Sequence, residues 1–388
     1  MKKLLFLFLL VPVLLYGQTI PLSNAAQISV ITCGPGQEEV FTAFGHSALR
    51  VYDPENNIDY VYNYGVFDFD QPNFYLNYTK GHLHFKLARM DWPRFRDNYI
   101  YFDRSVTEQV LDLATNDKQK LFEFLEWNNL PENQFYYYDY FYDNCATRIR
   151  DALANTFEER LVFDGSYITT DKTIRILTDD YLGLQPWGDL GIDICLGLPM
   201  DKKATPWMYM FLPDYVKSGL DHATLKTENS ELPIVKETII VYESKGPSVS
   251  ESLLKPVHIF WGVFLILALV SYFDFKKQKT TRIVDILWFS VLGFFGVFLL
   301  ALWLGTDHRA AAWNMNLLWA FPFHATGVVF IVRKNTQWIV KYFRFVFWLS
   351  IALAVFWFFL PQLMHYALFP MALGSAVRGF LLYKFSGR

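Results

Sequence analysis

The second half of this chain can fold in very few ways. Beyond a polar stretch of Gly, Pro and Ser near residue 250, apolar runs recur at about 256–273, 283–305, 316–332, 345–364 and 366–382. Each is close to the roughly 20 residues that a helix needs to cross the hydrocarbon of a bilayer, where every backbone polar group must be satisfied within the protein. The sequence therefore predicts a C-terminal bundle of about five transmembrane helices over residues 251–388, the last two runs being parted only by Pro361 and His365. Lys276, Lys277, Lys279 and Arg282 follow the first run, Arg333, Lys334, Lys341 and Arg344 follow the third, and Arg378, Lys384 and Arg388 lie at or after the end of the last. The opposite loops carry only Arg309. Because basic loops are retained in the cytoplasm, the N-terminal part and the second and fourth loops are expected outside it.

The N-terminus agrees by an independent route. Lys2 and Lys3 precede an apolar run to Leu15, with small Gly17 as a cleavage position, so residues 1–17 read as a signal peptide and residues 18–250 as an exported domain. The 53% hydrophobic and 19% aromatic content exceeds that of an ordinary soluble domain, and the net charge of −3 gives no support to nucleic-acid binding. Three cysteines, Cys33, Cys145 and Cys195, make an odd count. If two of them pair in an oxidising compartment, Cys33 with Cys195 is the pairing that leaves Cys145 free.

Cys145 is the residue of interest because of where it stands. In FYDNCATRIRDAL it follows Asp143 and Asn144, either of which suits a helix N-cap, and Ile149, Ala152 and Leu153 then form a stripe that buries one helix face. A thiol at a helix N-terminus meets free N–H groups and the positive end of the dipole, which favour thiolate. A cysteine nucleophile also needs a base and a group to orient that base. His46 stands at the mouth of a strand, SALRVYD, joined by Asp53-Pro54-Glu55-Asn56-Asn57 to a second strand, IDYVYNYG. Period-2 alternation puts Asp59, Val61 and Asn63 on one face of that second strand, so Asn63 or Asp59 is the expected orienting group. Further strands are expected at GHLHFKLARM, SVTEQVLDL and LPIVKETIIVYES, a helix at NDKQKLFEFLEWNNL, and a helical hairpin or cover near the bilayer between 157 and 250.

A histidine opening a strand, a polar residue on the next strand and a later Asn-Cys at a helix start resemble the circularly permuted papain-like superfamily of NlpC/P60 and lecithin:retinol acyltransferase-like proteins. FGHSALRV, YNYGVFDF and YDNCATRIRD together look more closely like the Lnb-type lipoprotein N-acyltransferases, whose periplasmic domain precedes a membrane bundle. The resemblance implies an α+β, circularly permuted papain-like domain in the periplasm, anchored by a multi-pass bundle in the inner (cytoplasmic) membrane. It further implies that a phospholipid acyl chain passes to Cys145 as a thioester, and then to the N-terminal amine of a diacylglyceryl-cysteine lipoprotein. His46 would act as base and Asn63 as its orienting partner, with no metal or diffusible cofactor. The other activity compatible with a Cys-His site is that of a membrane-anchored cysteine peptidase or amidase acting on cell-wall peptide.

Three other features bear on the site. His82 and His84 share a strand face, but no third ligand of fitting spacing follows them. Asp307, His308, Arg309, Asn314 and Asn316 cluster in the outer loop after the second run, where His308 and Arg309 are candidate substrate-binding residues for a lipid headgroup. The aromatic run FYYYDYFYDN ahead of Cys145 suits an acyl chain, so the pocket is expected to be apolar, lined partly by residues 135–142, with polar groups only at its mouth.

Overall fold

Alternation of apolar and polar residues in the first half becomes strand structure. In the computed structural model, which describes residues 20–67, 70–227, 230–246 and 254–386, ten strands form two sheets. They are β1 (Gln27–Cys33), β2 (His46–Asp53), β3 (Ile58–Val66), β4 (Leu83–Asp91), β5 (Val106–Leu111), β6 (Phe135–Tyr138), β7 (Leu161–Phe163), β8 (Ala223–Lys226), β9 (Glu231–Pro233) and β10 (Val235–Tyr242). The larger sheet runs β10-β5-β1-β2-β3-β4-β6 with every neighbour antiparallel, and β7-β8-β9 make a small second one. The expected signal peptide and most of the linker near residue 250 lie outside the described residues.

Helices cover both faces of the large sheet. They are α1 (Phe74–Lys80), α2 (Trp92–Tyr101), α3 (Thr115–Asn128) and α4 (Cys145–Phe157), followed by α5 (Ile174–Leu182), α6 (Pro186–Cys195), α7 (Pro206–Tyr209) and α8 (Pro213–Asp221). On one face Leu49, Val51, Tyr62 and Tyr64 pack with Leu121 and Phe122 of α3 and with Ile149 and Leu153 of α4. On the other, Ile31, Cys33, Ala48 and Val61 pack with Trp92, Phe95 and Tyr99 of α2. At about 1.5–3 kcal/mol for each large apolar side chain buried, these two layers hold α4 and β2 rigidly against each other.

The region from 157 to 250 does contain a helix pair. Arg175 of α5, fully buried, joins it by donating to Asp193 Oδ1 of α6 at 2.7 Å, to Asp201 Oδ1 at 2.9 Å and to the Leu196 carbonyl at 3.0 Å. The same pair docks the sheet domain on the membrane half. Asn314 and Asn316 donate to the Ile194 and Asp193 carbonyls at 2.7 and 3.1 Å, Gln362 donates to the Leu196 carbonyl at 3.1 Å, and the Gly197 N–H donates to Ala310 O at 2.7 Å.

The membrane half contains α9 (Pro256–Lys276), α10 (Arg282–Leu304), α11 (His324–Val332), α12 (Thr336–Phe356) and α13 (Phe369–Phe385). Among the described residues, four helices are long and apolar enough to cross a bilayer: Pro256–Lys276, Arg282–Leu304, Thr336–Phe359 and Tyr366–Phe385. The run expected to span at 316–332 is not one helix, because only His324–Val332 is α-helical and a short 3₁₀ turn, Met315–Leu318, precedes it. Pro322 removes a donor just before that helix. The irregular part packs tightly on α10: a Cβ added at Gly296 would fall 2.2 Å from the Ala320 carbonyl oxygen, and one at Gly293 would fall 2.7 Å from the Ala325 nitrogen. Protein covers this backbone where lipid could not satisfy it. Lower in the bundle, fully buried Arg378 of α13 reaches Asp285 of α10 at 2.6 Å and Asp274 of α9 at 2.8 Å, tying three helices by one ion cluster.

Candidate active site

Asn144 is the N-cap of α4: its side chain accepts from Thr147 N–H at 2.9 Å, and Thr147 Oγ1 accepts from the Asn144 N–H at 2.7 Å. The Asn144 amide also donates to the Tyr140 and Phe211 carbonyls, both at 2.8 Å. Asp143, the other candidate cap, is bound instead by Arg148. The first helical residue is therefore Cys145, buried at the end of the sheet.

His46 arrives from β2 through Gly45, whose φ of +77° and 2.7 Å approach to the Cys33 carbonyl exclude a side chain there. The imidazole Nε2–H donates to Asn63 Oδ1 at 2.5 Å. Asp59 is engaged elsewhere, accepting from Arg50 at 2.7 and 3.0 Å, so Asn63 is the polar group on the ring. With Nε2 occupied, Nδ1 is the nitrogen left for Cys145. The ring stacks on Tyr99, with centroids 6.1 Å apart and planes 17° apart, which fixes its tilt.

Electrostatics in this small volume favour the charged pair. Burial would push the Cys145 thiol up, but the His46 charge, a hydrogen bond to His46 and the backbone N–H groups of Ser47 and Ala146 together pull it below its ordinary value. Burial likewise disfavours imidazolium at His46, yet the Cys145 charge and bond and the Asn63 bond raise it above 6.5. The sulfur thus meets two N–H donors, from Ser47 and Ala146, ready for negative charge developing beside it.

A cleft of about 1000 Å³ lies between the β6–α4 segment and the outer membrane loop; Cys145, His46 and Asn63 do not line it. Tyr137, Tyr138 and Tyr142 line one wall, and Trp303, His308 and Arg309 line the other. Tyr138 leads from cleft to thiol: a Cβ added at Gly65 would sit 3.5 Å from the Tyr138 ring and 3.8 Å from Cys145 Cβ. The outer loop is held in place by His82 on Asp307 at 2.6 Å, by the Asp307 N–H on Lys80 O at 2.9 Å and by His308 Nε2 on Tyr78 O at 3.2 Å. The lining is not the apolar one expected, because Asp139, Asp143, Arg148 and Asp151 face the same space. The cleft is a seam between a hydrated domain and a hydrated loop, and such surfaces keep their charges.

Comparison with known proteins follows from this geometry. The model of the Lnb N-terminal periplasmic domain matches residues 22–179, and that of the Lnb transmembrane domain matches residues 248–388. The chain belongs to the Lnb family. No curated protein and no solved structure matches it. As a member of this lipoprotein N-acyltransferase-type family it is a membrane protein with a periplasmic domain, and its α+β sheet domain followed by a C-terminal bundle is consistent with that. The Lnb periplasmic match takes in His46, Asn63 and Cys145, and it ends inside α5, so α6 falls between the two matches.

Some of the surroundings of the Lnb site had no signal in the sequence. Cys33 is not paired with Cys195: all three cysteines are free, and Cys33 is fully buried on β1 close enough to Cys145 to feel its charge. Arg104 lies over the Tyr99 ring at 4.7 Å and donates to Gly34 O at 2.9 Å, and its Nη2 has no partner among the described residues. The Tyr136 and Tyr140 hydroxyls, near enough to Cys145 to feel its charge, are also buried without partners among the described residues. His84 stacks on Phe135 at 4.8 Å and His82 is taken by Asp307, so the two histidines serve the seam separately. Three carboxylates, Asp179, Asp189 and Asp193, have ligand atoms within 4.8 Å of one another, but they sit on α5 and α6 against Arg175 and His365.

Proposed function

We propose that this chain is a cysteine-dependent lipoprotein N-acyltransferase that draws its acyl donor from the bilayer. The observation that carries the reading is the position of the Cys145–His46–Asn63 set, one tyrosine ring away from a cleft whose far wall is the membrane domain's own outer loop. In the first half-reaction the Cys145 thiolate attacks the ester carbonyl carbon of a phospholipid. The C–O bond breaks, the His46 imidazolium gives its proton to the departing alkoxide, and a lysophospholipid leaves. In the second, His46 takes a proton from the α-amino group of a diacylglyceryl-cysteine, the nitrogen attacks the thioester, and the C–S bond breaks to restore the thiolate. The Ser47 and Ala146 N–H groups offset charge near the sulfur, and Asn63 holds the ring in one tautomer.

Placement supports the same reading. With the basic residues after the first and third runs in the cytoplasm, the cleft would lie at the periplasmic surface of the inner membrane. There His308 and Arg309 would meet the phosphate-bearing headgroup and the carboxylates would meet the incoming amine. A peptidase acting in bulk solution gains nothing from a site walled by a membrane loop.

Cys145→Ser and His46→Ala should each lower transfer by several orders of magnitude, on the order of 10³-fold or more, because nucleophile and base act as one unit. The measurement is the intact mass of lipoprotein N-terminal peptides made by cells carrying each variant, with insertion checked in parallel. Near-normal N-acylation by either variant would remove the mechanism.

A further inference from the structure

Helix α1 carries apolar side chains that the protein leaves uncovered. Tyr75 is 77% exposed, Leu76 53% and Tyr78 54%, and Phe41 nearby in the chain's fold is 60% exposed. An apolar group of this size on a water-facing helix marks a binding surface. Its height relative to the bilayer is set by backbone contacts. Asp307 N–H donates to Lys80 O at 2.9 Å and Gly81 packs directly on Asp307 and His308, while α10, long and apolar enough to cross a bilayer, ends at Leu304 only three residues earlier in the chain. The C-terminus of α1 is therefore held beside the end of an apolar helix of spanning length, and Trp and Tyr side chains are favoured where such helices meet the membrane–water interface. Lys80, exposed at the last position of α1, stands where lipid phosphates lie.

A row of rings runs inward from this helix. Phe74 of α1 stacks on Phe67 at 6.1 Å, Phe67 stacks on Phe85 at 4.8 Å, and Phe85 meets Tyr138 at 4.6 Å. Phe41 joins the row edge-on at Phe67, 6.4 Å away. Tyr138 is the ring beside Cys145. We propose that α1 lies in the outer interface of the bilayer and that the ring row Phe74–Phe67–Phe85–Tyr138 is the track along which an acyl chain leaves the leaflet for Cys145. The seam cleft with Arg309 then holds the headgroup, so chain and headgroup reach the thiol from different sides. The track rests on the acyl-transfer reading, whereas the seating of α1 in lipid does not.

The test uses the full-length protein in vesicles of phosphatidylethanolamine and phosphatidylglycerol, with two readouts. Benzoylphenylalanine placed at Leu76 and irradiated should give an intact-mass shift equal to one phospholipid. A crosslinked dimer of the chain, or no adduct, overturns the interfacial position. In the second arm, Leu76→Glu should slow acylation of Cys145 by vesicle lipid by about tenfold or more, while acylation by a water-soluble short-chain ester stays within about twofold of the parent, because only the lipid route uses the helix. Equal loss with both donors makes α1 a structural support of the site, and equal retention removes the track. If the parent protein is acylated by neither donor, the acyltransferase reading itself fails, and the lipid adduct at position 76 still decides where α1 lies.

Discussion

Asn63→Ala separates an orienting residue from a bystander. The bond it removes, His46 Nε2 to Asn63 Oδ1, is 2.5 Å long and is made to a ring that becomes cationic in the working state. Hydrogen bonds to charged groups contribute about 1.5–3 kcal/mol, and at about 1.4 kcal/mol per tenfold the acylation step should slow by roughly 10- to 150-fold. The pH profile should move as well. The Cys145 thiol is drawn below its ordinary value of 9.0 and the His46 imidazole is raised above its ordinary 6.5, each partly by the other, so both shifts move the site toward the ion pair. Asn63 is one of the groups that raise His46, and without it the alkaline limb of transfer should fall to lower pH. The apparent KM for the lipid should stay near that of the parent, because Asn63 does not line the cleft. Its β3 position keeps the backbone pairing with Ala88, so the sheet should survive the change. Single-turnover thioester formation followed across pH reads all of this. A rate within about twofold of the parent with an unmoved alkaline limb would show that Tyr99 stacking alone orients the ring.

Two further expectations concern stability. Arg378→Leu leaves Asp285 and Asp274 buried without their cation and should cost about 3–5 kcal/mol, visible as a lowered unfolding midpoint in detergent; an unchanged midpoint would mean the cluster is not held as described. Asp179 is pushed up to about 8 by burial and by Asp193 and Asp189, so the folded chain holds a proton there that the unfolded chain releases near pH 4. That contribution is fully present below pH 4 and lost as pH rises through about 8. Asp179→Asn should therefore stabilise increasingly between those limits and level off above them, by a few kcal/mol at most, whereas an advantage independent of pH would place the effect elsewhere.

Several features were legible because local chemistry alone decides them. Apolar runs bounded by lysine and arginine have few outcomes besides a membrane bundle, and an Asn-Cys pair ahead of an amphipathic stripe has few besides a capped helix with its thiol at the tip. The β2–β3 hairpin followed from alternation and a polar turn, and it brought His46 and Asn63 to one end of the sheet. Where sequence reasoning stopped, the deciding partner was distant in the chain. Asn63 prevailed over Asp59 because Arg50 claims Asp59. Cys33 and Cys195 are both free, one on the central strand β1 and the other at the end of α6. The third span unwound because Gly293 and Gly296 let irregular backbone lie against α10. The cleft carries charge because it is a seam between two surfaces, and a seam belongs to neither segment's own pattern. Local propensity and periodicity fix what each segment becomes, but which surfaces meet depends on contacts across hundreds of residues, and only the folded chain brings those together.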